Sequence, residues 1–301
     1  MLVTKIIDDT KINCINGEVE VGDYVTVVPG VACGECEYCL NIPENENYCT
    51  RRRVFGLNMF SSKNMIIGGN IESMHIPEKF RLYKINYDWP LGMGTLLEPV
   101  SVSIKAVNKG LSNVRSVKNR KMTAIVFGMG TIGFFIAMEL LRQEIEVVAV
   151  DSNDNRLKRA MQNGVKYTFN INALNQNIFE DFCKKEMKGI KVDIAFEATG
   201  KAETFRDAIY CLRKGGVMIE VGNFIDAGKV HISPSYICNN EIIIMGSVLA
   251  DAKLYKDAEI LLNSFVDKSE DILSNYDYTE YDEAYKQAFL RDKCLKNNIC
   301  F

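Results

Sequence analysis

The chain has 301 residues, 47% of them hydrophobic, and its 36 Lys and Arg residues are set against 39 Asp and Glu residues, so the formal net charge is -3 at pH 7. This length is enough for about two domains with apolar cores. The acidic balance argues against nucleic acid or a membrane surface as a partner. No apolar stretch is long enough to span a bilayer, and the first residues lack the zones of a signal peptide. We therefore predict a cytoplasmic protein.

The first part of the chain, to about residue 95, is predicted to form an irregular, β-rich lobe. Residues 19–30 (VEVGDYVTVVPG) alternate β-branched and polar side chains, which is typical of a strand. Residues 65–77 (MIIGGNIESMHIP) are also strand-like, with Gly68 and Gly69 as a predicted turn.

A dense group of cysteines follows the first predicted strand. Cys33, Cys36, Cys39 and Cys49 lie within 17 residues. Disulfides are rare in a reducing cytosol, and the two-residue gaps let successive thiolates turn toward one tetrahedral centre, as structural zinc requires. A four-thiolate zinc has no open coordination position, so it would stabilise the lobe and take no part in catalysis. Free thiols and an iron–sulfur cluster remain as alternatives, and the six other cysteines are expected to be incidental.

From Glu98 and Pro99 onward the pattern changes to a helix and then to regular alternation of strands and helices. Strands are predicted at 123–128, 146–150, near Tyr167, at 192–198 and at 216–222, and helices from Thr131, from about Asn153, near 176–187 and at 201–213. Apolar strands in βαβ succession predict a doubly wound parallel sheet that is covered on both faces. After EIIIMGS (241–247) we predict one helix, at 252–265, and then a polar tail.

Three glycines follow the first of these strands directly, in the pattern Gly128-x-Gly130-x-x-Gly133. In this position glycines can make a tight turn, admit a pyrophosphate against the backbone and let the helix meet the strand. Asp151 ends the next strand, where an acid can accept the ribose hydroxyls of a dinucleotide and repel a 2′-phosphate. The motif therefore predicts a dinucleotide site that favours NAD over NADP.

Several segments together resemble the zinc-type alcohol dehydrogenases of the medium-chain dehydrogenase/reductase superfamily. GDYV (22–25) followed by PGVACGECEYC (29–39) resembles that family's structural zinc loop, and GTLLEPVSVSIKAV (94–107) resembles its domain-joining helix. Residues 196–222 are similar to its later coenzyme-domain pattern. The Glu-Pro form of the joining helix is typical of the polyol, sugar and threonine dehydrogenase branches.

The resemblance implies a Rossmann coenzyme domain inserted into a GroES-like catalytic lobe. The expected limits are 1–104 for the first part of the lobe, 105–246 for the coenzyme domain and 247–301 for the return to the lobe. It also implies hydride transfer between a small secondary alcohol or polyol and NAD, with a catalytic zinc in the full-length family. A homo-oligomer, either a dimer or a tetramer, is expected.

The resemblance also implies roles for individual residues. The residues expected at the pyrophosphate are Gly128, Gly130, Thr131, Ile132 and Gly133. Those expected at the adenosine ribose are Asp151 and its neighbour Arg156. Those expected to approach the other ribose and the nicotinamide are Thr199, Val221 and Gly222. Glu98 matches a position that supplies an acidic ligand to the catalytic zinc in several polyol-branch enzymes. Alternatively, Glu98 is a helix-start carboxylate that interacts with the macrodipole.

Two departures from the family pattern affect these expectations. The spacing from Cys39 to Cys49 is two residues longer than the commoner arrangement. The family's catalytic Cys and Gly-His-Glu segment have no match either, since only Cys14 precedes the quartet and no histidine precedes His75. We therefore expect an N-terminally truncated chain, and an inactive NAD-binding fragment is the alternative function. A zinc-free quinone reductase is disfavoured by the quartet, and His75, His231 and the run 51–53 (Arg-Arg-Arg) are expected to be structural or solvated.

Overall fold

The structure, a computed structural model, describes residues 3–7, 13–55, 61–62, 65–66, 69–86, 88–173, 191–222, 228–249, 251–290 and 294–301. The chain forms two compact units, Met1–Ser101 with Leu249–Phe301 and, between them, Val102–Val248. We call these the outer unit and the inserted unit. In the part of the chain that the structure describes, no helix has the length and apolar character needed to cross a membrane.

The first part of the outer unit consists of short strands. A three-stranded antiparallel sheet has the order β1 (Val3–Lys5), β2 (Tyr24–Val28), β7 (Arg81–Lys84). Two further antiparallel pairs are β3 (Gly30–Val31) with β4 (Arg53–Val54) and β5 (Ser61–Ser62) with β6 (Met65–Ile66). The helix α1 spans Glu37–Asn41. The core under the larger sheet contains Val25, Val27 and Leu82. The prediction of strand across 65–77 is wrong beyond β6, because residues 69–77 form no strand. Gly68 lies outside the described residues.

The inserted unit confirms the predicted doubly wound sheet. Its helices are α2 (Leu97–Asn113, which starts in the outer unit), α3 (Thr131–Arg142), α4 (Asp154–Gln162), α5 (Ala202–Cys211) and α6 (Pro234–Asn240); its strands are β8 (Thr123–Phe127), β9 (Glu146–Asp151), β10 (Tyr167–Asn170), β11 (Val192–Glu197), β12 (Leu212–Glu220) and β13 (Ile243–Gly246). The six strands are parallel in the order β10-β9-β8-β11-β12-β13. The helix predicted near 176–187 lies outside the described residues.

Burial explains why these strands form a parallel sheet. Every residue of β8 and β11 is buried, so both faces of the central strands are covered. The chain order reverses at β8, which lies between β9 and β11. In open α/β sheets a ligand crevice forms at the carboxyl ends of the strands on either side of such a reversal. The inserted unit therefore has its expected ligand site where β8, β9 and β11 end.

The last 40 or so residues contain more structure than the predicted polar tail. They follow α7 (Tyr255–Asn263) and comprise α8 (Ser269–Ile272), β14 (Leu273–Asp277), α9 (Tyr281–Leu290) and β15 (Lys296–Cys300), with β14 and β15 paired in parallel. The prediction failed because polar side chains hold this pair together. Asn298 donates to Asn275 at 2.8 Å and accepts from Thr95 at 2.8 Å, so burial here follows hydrogen bonding and not an apolar alternation.

Tyr83 is one of the residues that join the two sequence-distant parts of the outer unit. Tyr83 on β7 is buried, and its hydroxyl donates a 2.6 Å hydrogen bond to Glu259 on α7. Its ring lies 5.5 Å from that of Tyr255, centroid to centroid. Burial, followed by the Glu259 carboxylate, raises the pKa of Tyr83, so the hydroxyl stays protonated and remains a donor.

We predict that Tyr83→Phe lowers the free energy of unfolding by about 1.5–3 kcal/mol, the typical value of a hydrogen bond to a charged group. Urea unfolding followed by fluorescence measures the change. Tyr278→Phe is the control, because the Tyr278 side chain is 53% exposed, and surface substitutions usually change stability by less than about 0.5 kcal/mol. Equal effects of the two substitutions would contradict the structural role of Tyr83.

Candidate functional site

The four clustered cysteines come together in the outer unit. Their Sγ atoms all lie within 4.8 Å of one another. The Cys33–Cys39 and Cys36–Cys39 Sγ distances are 3.9 and 3.4 Å. Zinc held at the usual Zn–S distance of about 2.3 Å needs tetrahedral S···S edges of about 3.8 Å. The quartet therefore has the size and the soft donor set of a zinc site.

Local backbone structure turns the thiols inward. Cys36 is the N-cap of α1 and Cys39 lies within that helix. The Cys33 amide donates to Cys49 Sγ at 3.2 Å. Backbone amide donation, first from Cys39 and then from Thr50, lowers the pKa of Cys36 to about 5, whereas burial raises the pKa of Cys39 to about 11. Amide donors thus favour the thiolate of Cys36, while Cys39 needs a nearby cation to lose its proton.

The longer spacing between Cys39 and Cys49 is accommodated by a short 3-10 turn, Glu46–Tyr48. Glu46 accepts two hydrogen bonds from Arg81, at 2.8 and 2.5 Å. Asn47 accepts from Arg52 at 2.9 Å and donates to Asp251 at 2.8 Å. These contacts fix the turn on the rest of the outer unit. The arginine run is accordingly engaged within the protein, with Arg52 on Asn47 and Arg51 paired with Glu35 at 3.0 Å.

We predict about one zinc per purified chain, held by the four thiolates. Cys36→Ser should lose the metal and lower the thermal unfolding midpoint together, because metal binding free energy contributes to folding of the site. Metal analysis and a thermal melt measure both effects. Cys238→Ser is the matched control, since Cys238 is exposed and belongs to no cluster among the described residues. A chain with no metal, or with iron and a visible charge-transfer band, would contradict this prediction.

The glycine turn of the inserted unit has the geometry that a dinucleotide needs. Gly128 has φ +92°, and its amide donates to Val150 at 2.7 Å. A Cβ on Gly133 would overlap the Gly128 carbonyl oxygen, so only glycine lets α3 approach β8 this closely. A Cβ on Gly130 would meet only Arg156, at 3.7 Å. The space above Gly130 is therefore open, and α3 begins beside it at Thr131, followed by Ile132, so the helix end whose dipole favours a phosphate lies at this space.

Asp151 lies beside this turn at the end of β9 and is 7% exposed. One carboxylate oxygen accepts from the Met129 amide at 2.6 Å and the other from the Asn153 amide at 2.9 Å. A carboxylate has about four acceptor positions, so two remain for ribose hydroxyls. Arg156 lies 3.6 Å from the same carboxylate. The structure thus brings together the two residues predicted at the adenosine ribose.

The residues predicted at the nicotinamide side lie across the sheet reversal from the glycine turn. Thr199 follows β11, and Val221 and Gly222 follow β12. The amides of Val221 and Gly222 both donate to the Glu197 carbonyl at 3.0 Å. A Cβ on Gly128 would lie 2.9 Å from the Ala198 carbonyl oxygen. The carboxyl ends of β8, β11 and β12 are therefore in direct backbone contact.

Sequence analysis missed Glu197, the last residue of β11. Its side chain is 0% exposed and accepts hydrogen bonds from the loop that contains Thr199. The signal available in the sequence was a carboxylate at the end of a predicted strand and directly before Ala-Thr-Gly. A buried carboxylate needs hydrogen-bond donors. Glu197 ends its strand at the predicted ligand crevice, so the segment that supplies these donors can also contact a ligand.

Glu98 lies in the first turn of α2. Burial raises its pKa, and the nearby charge of Lys296 opposes that shift. In the described part of the chain, no second group of three or more His, Cys, Asp or Glu side chains could hold a metal ion. His75 and His231 are both exposed. The described residues therefore do not form a catalytic zinc site around Glu98.

Comparison with known proteins shows which family the chain resembles. The family model for zinc-binding dehydrogenases matches residues 128–264. Sorbitol dehydrogenase of Bacillus subtilis (strain 168) is 26% identical over 280 residues, which are 92% of this chain and 74% of that protein. The chain is therefore similar to the zinc-type alcohol dehydrogenases. The resemblance found in the sequence is confirmed.

Solved structures of alcohol dehydrogenases share the fold of this chain. An alcohol dehydrogenase from Thermotoga maritima aligns with a TM-score of 0.86 at 19% identity, over 99% of this chain and 81% of that one. An alcohol dehydrogenase from Escherichia coli CFT073, solved in complex with NADH, aligns with a TM-score of 0.72 at 21% identity, over 93% and 77%. Because both sequence identities are below 25%, these structures support the fold of the chain and not a particular activity.

Proposed function

We propose that the chain carries the coenzyme-binding and structural-zinc parts of an NAD-linked alcohol dehydrogenase, an oxidoreductase for a small secondary alcohol or polyol. The observation that carries this proposal is the open glycine turn at Gly130, with Asp151 beside it at the sheet reversal. The sorbitol dehydrogenase relative supports a polyol as the substrate class. The test is direct measurement of coenzyme binding and of alcohol oxidation.

In this proposal each part of the inserted unit holds one part of the coenzyme. The backbone from Gly128 to Ile132 and the start of α3 bind the pyrophosphate, and Gly133 keeps α3 close to β8. Asp151 accepts the adenosine ribose hydroxyls, with Arg156 next to it. Thr199, Val221 and Gly222 contact the second ribose and the nicotinamide. When bound, NAD supplies the hydride acceptor.

The four-cysteine site is proposed to be purely structural. A zinc ion bound by four thiolates has no position left for a substrate oxygen. Of the ligands expected for a catalytic zinc, the described residues supply only Glu98, and we assign no reaction step to such a metal. This observation favours a second candidate function, a chain that binds NAD without turnover.

Other expectations remain proposals of the same kind. We infer a cytoplasmic location and a homo-oligomer, either a dimer or a tetramer. The expected catalytic lobe, GroES-like and made of 1–104 and 247–301, and the expected coenzyme domain, 105–246, are proposed as functional divisions of the chain.

We predict that NADH binds more tightly than NADPH, because a 2′-phosphate would face the Asp151 carboxylate in a partly desolvated site. Asp151→Ser should narrow or reverse this preference, since the carboxylate that repels the 2′-phosphate is removed while the positive charge of Arg156, 3.6 Å from Asp151, stays in place. Fluorescence titration with both coenzymes measures the ratio. Asp154→Ser, at an exposed acid three residues later, should leave the ratio unchanged. Equal affinity of the unmodified chain for both coenzymes would refute the role of Asp151.

We also predict that the 301-residue chain by itself oxidises alcohols poorly even when NAD is bound. A catalytic zinc needs about three protein ligands and an open position, and loss of such a Lewis acid costs several powers of ten in rate. The measurement is NADH formation with sorbitol, other polyols, sugars and threonine, together with zinc counting, and Bacillus subtilis sorbitol dehydrogenase is the positive control. Rapid turnover with one zinc per chain would show that the active site lies elsewhere.

A further inference from the structure

Glu197 is a charged group placed inside the inserted unit without a cationic partner. Its carboxylate is 0% exposed, and no Lys or Arg of the described residues forms an ion pair with it. Burial of an isolated carboxylate is costly unless hydrogen-bond donors replace the lost water. The donors that surround Glu197 therefore indicate what the carboxylate organises.

Among the described residues, the donors to its side chain lie within 199–204, a segment that runs from the turn after β11 into the first turn of α5 and that we call the β11 loop. One oxygen, Oε1, accepts from the Thr199 amide at 2.8 Å and from the Thr199 hydroxyl. The Thr204 hydroxyl lies 2.8 Å from the same oxygen and also 2.8 Å from the Lys201 carbonyl. The other oxygen, Oε2, accepts from the Gly200 amide at 3.1 Å. The β11 loop thus wraps around one buried carboxylate.

The backbone of the β11 loop packs tightly against that of Gly222, so it cannot take another course without displacing its neighbours. Gly200 has φ +73°, and a Cβ on it would lie 2.8 Å from the Gly222 carbonyl oxygen. A Cβ on Gly222 would overlap Glu197 Oε2 and the Gly200 amide nitrogen. Any reorientation of the carboxylate must therefore displace Thr199, Gly200 or Gly222. Two of these three residues are proposed to contact the nicotinamide half of the coenzyme.

We propose that Glu197 is a positioning residue for the nicotinamide half of NAD, acting through the β11 loop and Gly222; this rests on the proposed function. The adenosine and pyrophosphate half is assigned to the glycine turn and to Asp151, none of which accepts or donates a side-chain hydrogen bond to Glu197. Loss of the carboxylate should therefore affect one half of the coenzyme and spare the other. A purely structural role would affect both halves equally.

The substitution Glu197→Gln makes a small, defined change. With its amide oxygen in the position of Oε1, glutamine keeps the contacts to Thr199 and Thr204. Its NH2 group then replaces Oε2 and faces the Gly200 N–H, so two donors oppose each other. Thr204→Val is a milder second variant, because it removes one hydroxyl and keeps the shape of the side chain.

The same strand offers a matched control in Asp193, at the opposite end of β11. Its carboxylate is also 0% exposed. One oxygen accepts from Arg120 at 2.5 Å and from Arg213 at 2.6 Å, and the other accepts from the Thr123 amide at 2.8 Å. Asp193→Asn likewise places an NH2 group against one backbone N–H. It also removes the charge that faces Arg120 and Arg213, so it perturbs the strand at least as strongly as Glu197→Gln, but at the opposite end of β11 from the β11 loop.

The experiment compares binding of NADH and of ADP-ribose, which lacks the nicotinamide, by isothermal titration calorimetry. The unmodified zinc-loaded chain should bind both ligands. Glu197→Gln should weaken NADH by about tenfold or more, the cost of one opposed buried hydrogen bond, and change ADP-ribose by less than about twofold. Thr204→Val should change the NADH to ADP-ribose ratio in the same direction by a smaller factor. Asp193→Asn should leave the ratio unchanged, and thermal melts verify that each variant is folded.

The outcomes separate the inference from the function on which it rests. If the unmodified chain binds neither ligand, the proposed coenzyme function is overturned and the role of Glu197 with it. If it binds both but Glu197→Gln weakens both equally, or weakens neither, only the positioning role is overturned. Should Glu197→Gln fail to fold, Thr204→Val decides: an unchanged ratio overturns the positioning role, and a selective loss of NADH supports it.

Discussion

The close approach of Gly133 to the Gly128 carbonyl sets the geometry of the proposed coenzyme site. A side chain at Gly133 would overlap that carbonyl oxygen, so α3 can start directly on the end of β8 only with glycine there. The first N–H groups of α3 then face the open space above Gly130. Asp151 depends on the same arrangement, because one of its oxygens accepts from the Met129 amide within the turn. A phosphate site and a ribose acceptor are thus built from one packing constraint.

Three buried acids of the inserted unit are stabilised in three different ways. Asp193 lies at the amino end of its strand and is satisfied by two guanidinium groups and one amide. Asp151 accepts two amides and has Arg156 at 3.6 Å. Glu197 is satisfied by amides and hydroxyls alone. Cations therefore surround the acid farthest from the proposed coenzyme site, whereas the two acids at the carboxyl edge hold backbone segments in place, as expected where the backbone itself binds the ligand.

The sequence predicted those parts of the molecule whose determinants are close together in the chain. Apolar strands such as β8 and β9, the glycine turn and the cysteine spacing are all local patterns, and the structure places each where it was expected. The pairing of β14 with β15 was missed because Asn275, Asn298 and Thr95, far apart in sequence, hold it with hydrogen bonds. Glu197 was missed because half of its hydrogen-bond donors, the amides of Thr199 and Gly200, are backbone groups, which leave no residue pattern to detect.

The difference between local and long-range determinants also explains why the four-cysteine site forms, whereas the described residues form no catalytic zinc site. The cysteine quartet is contained in 17 residues, and α1 together with a 3-10 turn folds this segment onto itself, so its ligands converge without help from distant strands. A catalytic zinc would instead need ligands from separate segments to meet at Glu98, where the electrostatic neighbours are Lys296 and Tyr255. Lys296 offers Glu98 a positive charge, but burial still raises the pKa of this carboxyl, and no group of metal ligands surrounds it among the described residues. The functions best supported in this chain, zinc binding by the quartet and coenzyme binding by the glycine turn, are therefore the ones encoded by short segments.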